Sequence, residues 1–319
     1  MACYSIGKKV ARKIFKLQLP YSKMLETLLN PKKAERKPWE LFFVGLLYAS
    51  FSILLVNLIF SNNPVFADYS SILIITFTVM LSLPFMYFVI KFEEEKDIRI
   101  RKERVLIKEH GKALLAFVYL FLGFLVAFSL AYMFLPQEIV AKNFHAQVSQ
   151  YCAINSPLDI EGCVSKNLPG VKGISGEAIG IAKAITITKA WNNVMAIFSN
   201  NIYVLIFCIL FSLAFGAGAI FILTWNASVI AIAIGILSKN LATFPASFMR
   251  YMLHGLPEIA AYFVASLAGG IISIAVIRHD LKEKRFWHIM QDSIDLIILA
   301  IVILFVAALI EVFLTPVLF

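Results

Sequence analysis

The chain is poor in charge. Asp, Glu, Lys and Arg make up 15% of its 319 residues, whereas a soluble domain usually needs about 25% to keep its surface wet. That shortage excludes an ordinary water-soluble fold. Cysteine is also scarce. The four present do not fall at metal-ligand separations, so neither a zinc module nor a dense disulfide scaffold is expected. The first ~40 residues lack the short basic-then-apolar pattern ending in small residues that a signal peptidase needs, so the N-terminal arm is expected to stay on the chain. No nucleophile–base pair and no ligand set can be assembled from the sequence. No catalytic residue, metal or cofactor is therefore expected, and the chain reads as a non-enzyme.

What is abundant is hydrophobic. Apolar residues reach 60% and mean hydropathy is +0.82, gathered in long runs. A helix needs ~20 apolar residues to cross a bilayer, because every backbone polar group must be satisfied within the segment. The sequence offers seven such runs: Leu41–Phe60, Ser70–Ile90 with Pro84 inside it, Leu114–Leu135, Ile202–Thr224, the short Ala227–Leu241, Ile259–Ile277 and Leu296–Pro316. The expected fold class is all-α, a polytopic transmembrane bundle of about seven spans. Four regions follow: a basic arm over 1–40, three spans over 41–135 with a charged connector at 91–113, a long loop over 136–200, and four spans over 201–319.

Basic residues set the expected orientation. The arm carries Lys8, Lys9, Arg12, Lys13, Lys16, Lys23, Lys32, Lys33, Arg36 and Lys37. The connector carries Lys91, Lys96, Arg99, Arg101, Lys102, Arg104, Lys108 and Lys112, and the loop after the sixth run carries Arg278, Lys282, Lys284 and Arg285. By the positive-inside rule all three face the cytoplasm, which puts the C-terminus outside and requires the short fifth run to cross. The net charge of +9 is thus read as attraction to anionic lipid headgroups, not nucleic acid. The connector from Glu93 to Gly111 reads as a charged helix.

The loop over 136–200 is then external, where Cys152 and Cys163 are expected to form a disulfide. Within it Gln137–Gln150 and Ser175–Ser199 read as helices. The second has a one-sided apolar stripe from Ile179 to Phe198, suited either to lying in the interface or to capping the bundle.

Several polar residues lie at membrane depth. In His254-Gly-Leu-Pro-Glu258, Pro257 suits a first helical position and Glu258 a first turn. The alternative is that His254 and Glu258 line a polar pocket. Glu311 is deep in the seventh run, at a depth similar to Arg250, His254 and Glu258, and is expected to pair with Arg250 or His254. Asn200 or Asn201 is read as a helix cap and Trp225 as an interfacial anchor. Small residues at Gly216, Gly218, Gly235, Ala265, Gly269 and Gly270 suggest close helix packing, within the chain or against another subunit.

The ordered set Phe198-Ser-Asn-Asn201, Gly216, Gly218, Trp225-Asn226, Gly235 and His254-Gly255-Leu-Pro257-Glu258 resembles the stage II sporulation protein M family. Asn30-Pro-Lys-Lys-Ala-Glu-Arg-Lys-Pro-Trp-Glu40 and Lys91-Phe-Glu-Glu-Glu-Lys-Asp97 are similar to its archaeal branch, so that the likeness covers most of 24–316. It departs at Ala227, where members often have Gly. The resemblance implies an integral membrane protein whose bacterial relatives help assemble a peptidoglycan-remodelling complex, with hydrolysis left to partners. A scaffold or membrane-remodelling role is therefore expected, with protein partners or a homo-oligomer. The alternative is a transporter or channel with a polar site in the outer half of the membrane.

Overall fold

The computed structural model describes residues 37–60, 63, 66–99, 103–156, 159–168, 187–215, 220–238, 240–277 and 284–318. Its regular structure is all helix, with no strand among these residues. In order, the helices are α1 (Glu40–Ile59), α2 (Ser70–Arg99), α3 (Glu103–Phe134), α4 (Gln137–Asn155), α5 (Ile160–Asn167), α6 (Ile187–Phe215), α7 (Ile220–Leu237), α8 (Phe244–Ile277), α9 (Lys284–Leu309) and the short α10 (Thr315–Leu318). Seven of them, α1, α2, α3, α6, α7, α8 and the α9–α10 run, are long and apolar enough to cross a membrane. A lone apolar helix in hydrocarbon gains nothing by burying more apolar surface, so close backbone contact and interhelical hydrogen bonds decide which spans touch.

The closest such contact is between α1 and α3. A Cβ on Gly45 would run into the backbone of Leu120, and one on Gly123 into the backbone of Phe42. The two glycines let the backbones meet. Neither belongs to the small-residue set singled out above. Of that set, Gly269 packs α8 onto α6, since a Cβ there would stand 2.9 Å from both the Ile209 carbonyl oxygen and Ser212 Cβ. Ala265 and Gly270 are buried nearby. Gly235 lies beneath the ring of Tyr132 and joins α7 to α3. Gly216 and Gly218 lie outside the described residues.

The contacts fix relative directions. Ser129 of α3 donates to the Ala231 carbonyl of α7 at 3.1 Å, and Tyr132 covers Gly235, so α3 and α7 run parallel. The α6 residues Asn201 and Ile209 meet Glu258 and Gly269 of α8, so these two also run parallel. Trp191 and Phe198 of α6 meet Phe313 and Phe305 across the last run, so α6 and α9 are antiparallel. α8 is the central helix. Phe263 stacks on Phe117 and meets Phe121 edge-on, and 72% of its span is buried, against 22% for α6.

Four expectations are corrected. Pro257 does not begin a helix. α8 starts at Phe244 and runs through it; the missing N–H costs one backbone bond and favours a kink without ending the helix. Trp225 and Asn226 do not close the fourth span either. They stand inside α7, with Asn226 Nδ2 returning to the Ile222 carbonyl at 3.0 Å. The helix expected over Ser175–Ser199 is not a separate surface element, since 187–199 forms the first turns of the spanning helix α6; the residues before 187 lie outside the described set. The charged connector is likewise no independent helix, because α2 continues to Arg99 and α3 begins at Glu103.

Beyond α3, Pro136 turns the chain into α4, which packs on α2 and α7 and carries α5 at its end. A disulfide joins Cys152 to Cys163, with Cα atoms 5.7 Å apart. Asp159 caps α5 by accepting from the Gly162 N–H at 3.0 Å. Tyr132 reaches out of α3 to donate its hydroxyl to the Asn167 carbonyl at 2.8 Å. This small disulfide-closed unit is thereby fastened to the end of α3.

Candidate functional site

Three spanning helices bring polar side chains together at depth. Glu258 stands halfway along the span Phe244–Ser273, and Asn201 near the middle of Ala190–Ala214. Because α6 and α8 run parallel and touch, these two midpoints meet, and Asn201 Nδ2 donates to Glu258 Oε1 at 2.5 Å. Asn200 Nδ2 in turn donates to Asn201 Oδ1 at 3.4 Å. Neither asparagine caps a helix.

One turn before Glu258, His254 faces the last span. Its Nδ1 lies 3.4 Å from the Thr315 hydroxyl. Thr315 closes a π turn over Ile310–Leu314, its backbone N–H reaching the Ile310 carbonyl and its hydroxyl the same carbonyl at 3.2 Å. The cause is local. Pro316 has no N–H to continue the α ladder and its ring crowds the preceding turn, so the chain widens by one residue there. Glu311 sits on that turn, half-buried, and is an electrostatic neighbour of Glu258. Tyr262, one turn beyond Glu258 and buried, completes the wall. Cys208 of α6 is a buried free thiol beside Ser266.

The expected residues are therefore partly gathered. His254, Glu258 and Glu311 share one region between α6, α8 and the end of α9. Arg250 is exposed at the start of α8, close to His254 and to Tyr151 of α4. Burial lifts the Tyr151 hydroxyl above the ordinary tyrosine range, and the Arg250 charge opposes that rise. The expected pairing of Glu311 is corrected. Among the described residues no ion pair joins Glu311 to Arg250 or His254; His254 is instead engaged by Thr315. Two members were missed as site residues, Asn201 and Thr315. Asn201 already stood in the Phe198-Ser-Asn-Asn segment, but it was assigned to a helix end because the span was started too late.

Chemically the arrangement offers hydrogen-bond acceptors and a neutral-or-charged carboxyl pair in a low-dielectric setting, where unpaired charge is costly. Among the described residues no three His, Cys, Asp or Glu side chains converge as a metal-binding group would require.

Seven apolar helices around a polar contact at mid-span define a multi-pass α-helical membrane protein. Within that class, the chain belongs to the stage II sporulation protein M family, whose profile matches residues 113–316. The match runs from α3 to the end of the last span and contains every member of the polar cluster. It leaves α1, α2 and the basic arm outside, a narrower extent than the likeness read from residue 24 onward. An uncharacterised protein of the archaeon Methanocaldococcus jannaschii is 30% identical over 129 residues, covering 39% of this chain and 71% of that relative. No solved structure matches the chain.

Proposed function

We propose that this chain is a non-enzymatic integral membrane protein that acts as a scaffold or membrane-remodelling component of a larger complex. The observation that carries this reading is how the polar groups at depth are used. Asn201 is engaged with Glu258 across α6 and α8, and Thr315 with His254 across α8 and the last span. Polar side chains spent on joining helices favour a fixed assembly. The outer helices supply the matching surface. Only 22% of the α6 span and 28% of the α1 and α9 spans are buried inside the bundle, leaving long apolar faces for lipid and for partner helices. The basic arm and the charged connector face the cytoplasm in this reading, and anionic headgroups hold them there.

A second reading, a transporter or channel, is favoured by one feature, the neighbouring carboxyls Glu258 and Glu311 within spanning segments. Reconstitution separates the two. As a scaffold, the full chain purified gently from its native membrane retains defined protein partners or deforms vesicles, and wild-type proteoliposomes are as tight to protons and cations as Glu258→Gln ones. Flux through the wild-type protein that Glu258→Gln abolishes would reject the scaffold reading.

A further inference from the structure

The glycine contact between α1 and α3 has a geometric consequence further along the two helices. Gly45 and Gly123 hold the backbones together at one point. Beyond that contact α1 and α3 stay packed against each other, and their outward faces leave a groove toward their C-terminal ends. This groove is an apolar crevice of about 510 Å³, with Leu46, Ile53 and Leu58 on one wall, Ala127 and Ala131 on the other, and Ile139 of α4 at the end. Its rim residues Leu54, Leu58 and Phe134 are exposed, so the crevice opens sideways, away from the bundle. Its walls from Leu46 to Leu58 and from Ala127 to Phe134 lie within spanning segments, so along that length it opens onto lipid and not water.

Size decides what can enter. From Leu46 to Leu58 the groove is roughly 18 Å long at 1.5 Å per residue. A helix about 10 Å across would occupy roughly 1,400 Å³ over that length, well above the volume of the crevice. A partner helix or a second copy of the chain does not fit inside. A single extended hydrocarbon chain does. The groove carries few polar groups: Ser50 stands on its open wall, and Asn57 Nδ2 donates to its own helix, at the Ile53 carbonyl, 2.8 Å away. Recognition is therefore by shape and dispersion contact, with no headgroup read by the groove itself.

We propose that the crevice between α1 and α3 is a binding site for one hydrocarbon chain of a membrane lipid, held in the leaflet on the α4 side. The test is photolabelling of the full chain in phosphatidylcholine–phosphatidylglycerol vesicles that contain a phospholipid with a diazirine in the middle of its acyl chain, read by peptide mass spectrometry. Adducts are expected to concentrate on 46–58 and 127–139 over the equally lipid-exposed α6 residues Tyr203, Phe207 and Leu210. Ala131→Trp, which fills the groove, should cut crevice labelling several-fold and leave α6 labelling unchanged. Ser50→Phe, at the open wall, is a milder filling variant that keeps the comparison available if Ala131→Trp does not fold. Labelling spread evenly over α1, α3 and α6, or crevice labelling that neither filling variant reduces, would overturn the proposal. So would crosslinks that join two copies through the groove.

Discussion

At the scale of single residues, the glycines differ sharply in what they do. A side chain at Gly45 or Gly123 would meet the backbone of the neighbouring helix, which cannot move aside as a flexible side chain can. At Gly111 nothing lies within 4 Å of the added atom. Gly45→Leu should therefore lower unfolding stability by about 3 kcal/mol or more, the upper range of overpacking. Gly111→Leu should leave it nearly unchanged; thermal unfolding of both variants in the same detergent checks the pair. Glu258 allows a finer distinction. Glu258→Gln keeps an oxygen for Asn201 to donate to, whereas Glu258→Leu strands a buried amide at a cost of about 1–3 kcal/mol. The melting temperature should fall clearly for Glu258→Leu and little for Glu258→Gln. Equal losses would show that the Asn201 contact holds nothing together. The ionisable members were visible in the sequence, because an ionisable side chain inside an apolar run stands out. Their partners were not. Asn and Thr are unremarkable at span ends, and only the packing of α6 on α8 shows that Asn201 is nowhere near an end.

At the scale of helices, the number and identity of the spans could be read from hydrophobic runs alone, but their limits could not. The fourth and sixth spans begin well before the apolar runs Ile202–Thr224 and Ile259–Ile277, at Ala190 and Phe244, because polar residues such as Asn200, Asn201, His254 and Glu258 interrupt the apolar pattern. In a bundle they are tolerated wherever a neighbouring helix supplies a partner. Pro257 misled for the same reason, since proline is accepted inside spanning helices more readily than in soluble ones. The disulfide-closed α4–α5 unit is the element most easily tested. Cys152→Ser with Cys163→Ser should cost about 3 kcal/mol, the value for closing a loop of this length, and should speed proteolysis between 137 and 168. The spanning helices should remain protected. A double variant as resistant as wild type would mean that the bridge does not hold α5 to the bundle.

At the scale of the whole molecule, the helix contacts impose an alternation: α1, α3, α7 and the last span point one way, α2, α6 and α8 the other. The contacts show that α3 and α7 run together and that α6 and α8 run together and opposite to the last span; with the chain order of seven spanning helices this agrees with the crossings expected from hydropathy. Which face is cytoplasmic rests on the lysine- and arginine-rich connectors. An external position for the disulfide unit, and with it the outer leaflet for the lipid site, depends on that same orientation. The most direct test is thiol labelling of intact cells with a membrane-impermeant maleimide, comparing single added cysteines at Lys37→Cys and Val317→Cys in a background lacking the native ones. The account predicts that Val317→Cys is labelled from outside while Lys37→Cys reacts only after the cells are opened. Labelling of both positions from the same side would contradict it.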